Sequence, residues 1–263
     1  MRFDRRRLAP VLYPAAAILV LLLLWHLAAT RRWIPDYLLP EPLKVLTALV
    51  ANVADGSIWT QLKPTLLATL AGYAISAAIA VLLAALISES RWAERGLLLP
   101  LMAAQATPKV AIAPLVFLWV GFDISGNVVL VALICFFPIF TNALAGFRAC
   151  DPNLVDLFRA AGAGRLHIWR HVKLPGSFVH LFAGLEVAIA FALIGCVVME
   201  FISSTRGMGF LIQDASTKFD LPLSFAAILT LGFVGLLGNA LVRQVRRRLL
   251  FWDAGHTAGA DHA

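Results

Sequence analysis

Long apolar runs, each near the roughly 20 residues that a membrane-spanning helix needs, limit what this chain can fold into. Six such runs lie at 11–29, 65–87, 97–119, 127–147, 177–201 and 223–242. Of the 263 residues, 60% are hydrophobic and 14% are charged, compared with about 25% charged residues in soluble domains. A helix satisfies its own backbone hydrogen bonds, as the lipid interior requires. We therefore predict an all-α polytopic membrane protein with six transmembrane helices.

Features within these runs predict local structure. The first run follows the basic stretch MRFDRRR and is longer than a signal-peptide core, so we expect a retained span. Pro108 and Pro114 in the third run and Pro138 in the fourth predict kinks, because proline removes a helical hydrogen bond. Small residues recur every four positions in the second run, at Ala68, Gly72, Ser76 and Ala80. This row either permits close helix packing or simply reflects an alanine-rich helix.

The distribution of Lys and Arg predicts the orientation in the membrane. With the N-terminus in the cytoplasm, the inner segments hold fifteen of the 22 basic residues and the outer segments hold six. These inner segments are 1–10, 88–96, 148–176 and 243–263. Basic residues concentrate on the cytoplasmic side of membrane proteins, so both termini are predicted to be cytoplasmic, with 246–263 as the tail. The outer loop 30–64 is predicted to carry a short amphipathic helix from Pro42 to about Val53.

The cytoplasmic segment 151–175, here called the coupling segment, has a pattern of its own. Asp151-Pro152 is typical of a capped helix start, and a glycine turn, Gly162-Ala163-Gly164, follows. The intervening apolar residues share one helical face: Leu154, Leu157, Phe158 and Ala161. A second short helix is predicted to carry Leu166, Trp169 and Val172 before Pro175 begins the fifth span. Such paired faces favour a docking element over a basic loop that only contacts anionic lipid.

This segment resembles the cytoplasmic signature E-A-A-x-x-x-G-x9-I-x-L-P of binding-protein-dependent ABC importer permeases. Gly162, nine residues, and then Val172-Lys173-Leu174-Pro175 match the second half of the signature. Asp156-Leu157-Phe158 stands where the family has Glu-Ala-Ala. The stretches 98–122, 136–156 and 184–212 are similar to the nitrate/sulfonate/taurine-type subgroup, and the resemblance covers residues 65–245.

The resemblance implies a type I ABC importer permease-like fold in which short cytoplasmic coupling helices between spans 4 and 5 dock on a separate ATPase. The residues implied to contact the ATPase are Asp156, Leu157, Phe158, Arg159, Ala161, Gly162, Ala163, Gly164 and Arg165. The basic residues fit contact with lipid as well as they fit contact with this partner. The chain has no GxxxxGK[ST] motif, so it binds no cofactor itself, and ATP and Mg belong to the P-loop ATPase.

The resemblance further implies an extracytoplasmic solute-binding protein and a second permease copy, giving a homodimer in the bacterial inner membrane. Membrane lipid is expected as a partner, and nucleic acid is not. No metal site is expected, and the absence of HExxH and of a serine-protease motif indicates that the chain is not an enzyme. The implied solute is small, a sulfonate, nitrate or similar anion. The alternative is a secondary transporter driven by an ion gradient.

Ionisable residues inside spans are costly, and they are therefore candidates for the translocation path. Lys109 lies in the third run, and Glu186 and Glu200 lie in the fifth. Lys109 either pairs with Glu186, faces the path and attracts an anion, or reaches backbone carbonyls. Glu200 fits an outer gate or the water interface equally well. In the loop that follows, the outer-gate candidates are Arg206, Gly207 and Gly209.

Overall fold

A computed structural model describes residues 5–31, 33–35, 38–121, 123–203 and 205–250, and these residues form helices and connecting turns without strands. The helices are α1 (Arg5–Thr30), α2 (Pro42–Ala54), α3 (Ser57–Ser88), α4 (Arg91–Ala106), α5 (Ala113–Val120), α6 (Ile124–Arg148), α7 (Pro152–Ala160), α8 (Arg165–Ile168), α9 (Leu174–Ser203), α10 (Met208–Thr217) and α11 (Leu221–Leu249). A 3-10 turn, Lys109–Ile112, precedes α5, and a π-helical turn, Trp169–Lys173, joins α8 to α9. The all-α prediction is confirmed.

Four described helices are long and apolar enough to cross a membrane: Ser57–Ser88, Ile124–Arg148, Arg165–Ile202 and Leu221–Leu249. They contain the spans predicted at 65–87, 127–147, 177–201 and 223–242. The span predicted at 11–29 lies within α1. Among the described residues, the apolar part of this helix is Ala16–Thr30, which is shorter than the four helices above. The total of six spans therefore stays a prediction.

The third predicted span is broken rather than kinked. Arg95–Ala106 and Lys109–Val120 meet at an angle of 82°. Thr107, at the break, has extended backbone with ψ of 131°, because a following proline disfavours helical geometry at the residue before it. Pro138, by contrast, lies inside the continuous helix α6. Two helical segments at a steep angle thus replace the single kinked helix expected at 97–119.

The last residues of the predicted outer loop 30–64 are helical, because α3 already begins at Ser57, and the extent of the loop outside the membrane stays a prediction. The short helix expected from Pro42 to about Val53 is present as α2 and runs to Ala54. It ends where expected, since Gly56 has a left-handed φ of +85° and the Asp55 carboxylate accepts a hydrogen bond from the Ser57 amide. Asp55-Gly56 therefore provides the turn between α2 and α3.

The chain divides into two compact units, one formed by Met1–Gln61 and Leu211–Thr230. Within this unit the indole of Trp25 donates a hydrogen bond to the Pro40 carbonyl and its ring lies 5.9 Å from that of Phe225. The Ser224 hydroxyl donates to the Ile212 carbonyl at 2.9 Å, which joins the start of α11 to α10.

The other unit, Leu62–Phe210 and Leu231–Ala263, holds the larger core and the candidate site. Its centre is the packing of α3, α6 and α9, where the buried residues include Ala80, Val131, Ile139, Ala188 and Ala192. Ala68, Ser76 and Ala80 are all buried, and a Cβ at Gly72 would lie 2.7 Å from the Val128 carbonyl oxygen of α6. The row of small residues in the second run is therefore a close-packing surface.

Helices α6 and α9 also approach closely through glycine. A Cβ at Gly184 would lie 2.7 Å from the Asn142 Cβ and 2.8 Å from the Pro138 carbonyl oxygen. In a membrane the helices gain no hydrophobic free energy from leaving lipid, so such van der Waals contacts carry much of the association.

We predict that Gly184→Ala lowers the free energy of unfolding by about 1–3 kcal/mol, the usual cost of overpacking, because backbone atoms of α6 block the added methyl. The control is Gly176→Ala in the same helix, where no atom lies within 4 Å of the added Cβ. Thermal unfolding of the purified protein in detergent measures both variants. Equal midpoints for the two variants would contradict the close approach of α6 and α9.

Candidate functional site

The coupling segment begins with a side-chain cap. Asp151 has extended backbone, its carboxylate accepts a hydrogen bond from the Asn153 amide at 2.9 Å, and Pro152 occupies the first helical turn. Gly162, with a left-handed φ of +82°, ends α7. The Ala163 amide donates to the Phe158 carbonyl across this turn at 3.0 Å, a bond typical of a glycine-terminated helix. The capped start and the glycine turn predicted from the sequence are thus both present.

The apolar residues of α7 divide between two directions, which differs from the single face predicted. Val155, Ile168 and Val172 form a small buried cluster with partly buried Phe158 against it. Leu154 and Leu157 point away from this cluster and are 42% and 63% exposed. Of the predicted face, only Phe158 packs inward. Val155, which is not part of that face, takes the buried position against Ile168.

The exposed side therefore carries apolar groups beside the turn. Leu166 at the start of α8 is 78% exposed, although the sequence pattern grouped it with Trp169 and Val172. A Cβ at Gly162 or at Gly164 would meet no atom within 4 Å. Asp156 and Arg159, both exposed, form an ion pair with each other at 3.0 Å. Leu154, Leu157 and Leu166, here called the exposed leucines, thus lie on the two short helices that flank an open glycine turn.

Pro175, where the fifth span is predicted to begin, does not start a new helix, and the start of the span itself stays a prediction. The helix is continuous from Arg165 to Ile202. The π-helical turn Trp169–Lys173 lies immediately before the proline, and the Leu174 amide donates to the Trp169 carbonyl five residues earlier. Proline has no amide proton for the usual bond, and a wider turn accommodates its ring within the helix. The second half of the coupling segment is therefore a rigid extension of the fifth span.

Two further contacts connect this extension to other helices. The Trp169 ring stacks on Phe147 of α6 with centroids 6.1 Å apart. The Lys173 ammonium forms an ion pair with Glu89, which lies in the turn between α3 and α4. The sequence does not point to Glu89 as the partner of Lys173, because the two residues are 84 positions apart and no local pattern relates them.

The charged residues predicted for the translocation path do not meet. The Lys109 ammonium donates to the Gln105 carbonyl at 2.8 Å and lies 4.5 Å from the centre of the Phe137 ring. Glu186 accepts a hydrogen bond from Arg246 of α11 at 3.2 Å. The proposed Lys109–Glu186 pair is therefore not formed, and Lys109 follows the alternative in which it reaches a backbone carbonyl.

A cavity of about 220 Å³ lies between α4 and α6. Its wall is mostly apolar, with a few polar groups, and consists of Leu98, Leu101, Met102, Gln105, Phe137, Phe140, Thr141, Leu144, Ala145 and Arg148. Lys109 is not a lining residue, but it contacts two of them, Gln105 and Phe137, and the charged residue in the lining is Arg148. Glu186 and Glu200 belong to α9 and are not among the residues that line it.

Glu200 is fully buried, which does not agree with the alternative that it lies at the water interface, and its place at an outer gate stays a prediction. Its carboxylate contacts Thr65 of α3 and the amide of Gly209. Of the outer-gate candidates, Gly207 has a φ of +119° and is buried next to this carboxylate, whereas Arg206 is exposed. The residues 205–209, here called the Gly-Met-Gly turn, are thus packed on Glu200.

The chain is similar to known transport proteins along most of its length. A family model described as "Binding-protein-dependent transport system inner membrane component" matches residues 76–251. A riboflavin transport system permease protein of Chloroflexus aurantiacus is 34% identical over 93% of this chain and 91% of its own. A formylaminopyrimidine transport permease protein of Halalkalibacterium halodurans is 30% identical, over 94% of this chain and 98% of its own.

A putative aliphatic sulfonates transport permease protein of Escherichia coli is also 30% identical, over 95% of this chain and 94% of its own. Among solved structures, an inward-facing MetNI methionine ABC transporter superposes with a TM-score of 0.59 at 16% identity, over 73% of this chain and 94% of that chain. This likeness supports the fold alone.

These matches include the coupling segment, the cavity and Glu200 within residues 76–251. Membership of the matched family implies a transport subunit that is not itself an enzyme and that works with an ATPase and a binding protein. The chain belongs to the family of binding-protein-dependent ABC importer permeases, the inner-membrane components of these transport systems.

Proposed function

We propose that this chain is the permease of an importer in which a separate cytoplasmic ATPase binds ATP and Mg and drives uptake of a small solute by alternating access. The observation that carries the proposal is the open glycine turn with the exposed leucines on the two short helices that flank it. Apolar side chains exposed on a segment rich in basic residues favour a protein partner, because contact with a partner removes them from water. Both termini are proposed to be cytoplasmic, and the second permease is proposed to be an identical copy.

The proposed docking surface combines a rigid support with a free face. Val155, Ile168 and Val172 hold α7 against the start of the long fifth-span helix. The opposite side presents Leu157 and the backbone of Gly162 and Gly164, where a partner backbone can approach closely. This arrangement agrees with the role that the signature motif has in the family, a coupling helix docked on the ATPase.

We predict that Leu157→Glu weakens binding of the ATPase by about 2 kcal/mol or more, the scale of an interface hot spot, and leaves the unfolding midpoint unchanged. The matched control on the same helix is Val155→Ala, which removes buried methyl groups and lowers the free energy of unfolding by about 2 kcal/mol. Co-purification from detergent with quantification of the ATPase measures binding, and thermal unfolding measures stability. Retention of the ATPase by Leu157→Glu would contradict the docking assignment.

Leu157 is a better test position than Gly162. At φ of +82° any L-residue at Gly162 strains the backbone, so a loss of ATPase there has two explanations. Leu157 has an ordinary helical backbone and is 63% exposed, so a polar replacement leaves the fold intact.

Movement of a docked coupling segment is proposed to reach the spans through three connections. The helix itself continues from Arg165 to Ile202, the Trp169–Phe147 stack contacts α6, and the Lys173–Glu89 ion pair contacts the turn between α3 and α4. Only the ion pair can be reversed by exchange of two side chains.

We predict that Lys173→Glu or Glu89→Lys alone lowers ATP-driven uptake several-fold, because like charges then separate the coupling segment from the turn after α3. The double exchange restores uptake, with a coupling energy of about 1 kcal/mol for a partly exposed pair. The control is the pair between the exposed Lys218, which follows α10, and Asp214 of α10, where Lys218→Glu is expected to leave uptake unchanged. Failure of the double variant to recover would contradict transmission through this pair.

The solute is proposed to be a small anion, such as a sulfonate or nitrate. Support comes from the Lys109 ammonium, which contacts two residues that line the cavity between α4 and α6, from Arg148 in that lining, and from the relatives named for aliphatic sulfonates and for taurine. Other relatives are named for riboflavin and formylaminopyrimidine, so the family also handles ring compounds.

We predict that Lys109→Gln lowers uptake of an alkanesulfonate about tenfold or more, because the variant removes the positive charge beside the cavity. Uptake is measured in proteoliposomes that contain the ATPase and a binding protein, with ATP inside and no ion gradient. Glu186→Gln, which removes a charge on α9 that pairs with Arg246, serves as the control. Uptake that needs an ion gradient but no ATPase would instead support the secondary-transporter alternative.

A further inference from the structure

The buried carboxylate of Glu200 joins three parts of the chain at one point. Its Oε1 accepts a hydrogen bond from the Thr65 hydroxyl of α3 at 2.7 Å, and its Oε2 accepts one from the Gly209 amide at 2.7 Å. The Thr65 hydroxyl in turn accepts a bond from the Met208 amide at 2.9 Å. Helix α9, helix α3 and the start of α10 are thereby connected in a closed ring of hydrogen bonds.

This ring replaces a local helix cap. The first amides of a helix lack partners within the helix, and the residue before α10, Gly207, has no side chain to supply one. Glu200 and Thr65 supply these partners from two other helices. A carboxylate is well suited to this position, because the first turn of a helix carries partial positive charge.

The shape of the Gly-Met-Gly turn depends on the same carboxylate. A Cβ at Gly207 would collide with the Glu200 carboxylate, and one at Gly209 would lie 2.7 Å from both the Glu200 Cβ and the Val197 carbonyl oxygen. Gly207 also has a φ of +119°, which L-residues rarely adopt. The two glycines are therefore required because the backbone passes directly over Glu200.

Burial strengthens this connection. The partners of Glu200 include neutral groups, a hydroxyl, a backbone amide and the Cys196 thiol at 3.6 Å. If the turn separated from Glu200, the fully buried carboxyl group would lose the hydrogen bond from the Gly209 amide, and the Met208 amide would lose the Thr65 hydroxyl. Unmet hydrogen bonds of buried groups are unfavourable, which favours a turn that moves together with α3 and α9.

We propose that Glu200 is a positioning residue of the transport cycle. It fixes the Gly-Met-Gly turn to α3 and α9, so that the start of α10 moves with these two spans as one body when the permease alternates. Glu200 acts through the turn and does not contact the solute. The inference rests on the proposed function, since the movement belongs to an alternating-access cycle.

Glu200→Gln tests the proposal, because the side chain keeps its size while one oxygen becomes an NH₂ group that cannot accept from Gly209 or Thr65. A reporter cysteine replaces the exposed Thr205, and Cys150, the partly exposed native thiol, is changed to serine. Labelling by a membrane-impermeant maleimide is followed in proteoliposomes with the ATPase, without ATP and after trapping with vanadate. The matched control is Glu186→Gln, a carboxylate in the same helix that pairs with Arg246.

We expect the parent protein to show different labelling rates in the two states. In Glu200→Gln the rate without ATP rises about tenfold, the difference between states disappears, and uptake falls about tenfold while the ATPase stays bound and active, consistent with loss of one hydrogen bond to a charged group. Glu186→Gln keeps the state-dependent labelling. Unchanged labelling and uptake in Glu200→Gln would overturn the proposal, as would an equal effect of Glu186→Gln.

Thr65 provides a second route if Glu200→Gln does not assemble. Thr65→Ser keeps the hydroxyl and is expected to behave as the parent, whereas Thr65→Val keeps the shape and loses both hydrogen bonds. Identical behaviour of the Ser and Val variants would overturn the proposal. Lack of ATP-dependent uptake by the parent protein would instead overturn the proposed function, which separates the two failures.

Discussion

Backbone hydrogen bonding in an apolar environment is the constraint on which the rest of this structure depends. Lipid offers no donor or acceptor, so every membrane-crossing stretch is helical and each interruption needs its own solution. At Pro175 the helix widens into a π-helical turn, and at the start of α10 the free amides are satisfied by Glu200 and Thr65. At Pro108 the helix stops and restarts at 82°. These three interruptions of regular helix therefore lie in the parts of the chain that are also the candidates for function.

The charged residues inside or near the spans follow the same logic. Lys109 contacts a carbonyl and an aromatic ring, Glu186 contacts Arg246, and Glu200 contacts a hydroxyl and an amide. Each charge is compensated within its own neighbourhood, and the three do not form one shared path. Their positions differ, and so do their contacts: Lys109 touches two residues that line a cavity, Glu186 joins α9 to α11, and Glu200 holds a turn.

The coupling segment shows how a short helix of limited stability becomes a firm contact surface. Nine residues are too few for a stable isolated helix, and α7 depends on the Asp151 cap, the Gly162 turn and the small cluster around Val155. The long fifth-span helix carries this cluster directly, through Ile168 and Val172. A force applied to α7 by a partner therefore acts on a membrane-spanning helix without an intervening flexible loop.

Local sequence features are sufficient to predict the helical class, four helices long and apolar enough to cross a membrane, the capped start and glycine turn of the coupling segment, and the family signature that it carries. These features depend on local periodicity, composition and the conformational limits of proline and glycine. The folded chain is needed to show which side of α7 is exposed, that Lys109 and Glu186 are apart, that Lys173 pairs with Glu89, and that Glu200 is buried beneath a turn. These are contacts between residues distant in sequence, or choices of helix orientation, and local periodicity contains no information about the partner that a side chain meets across a helix interface.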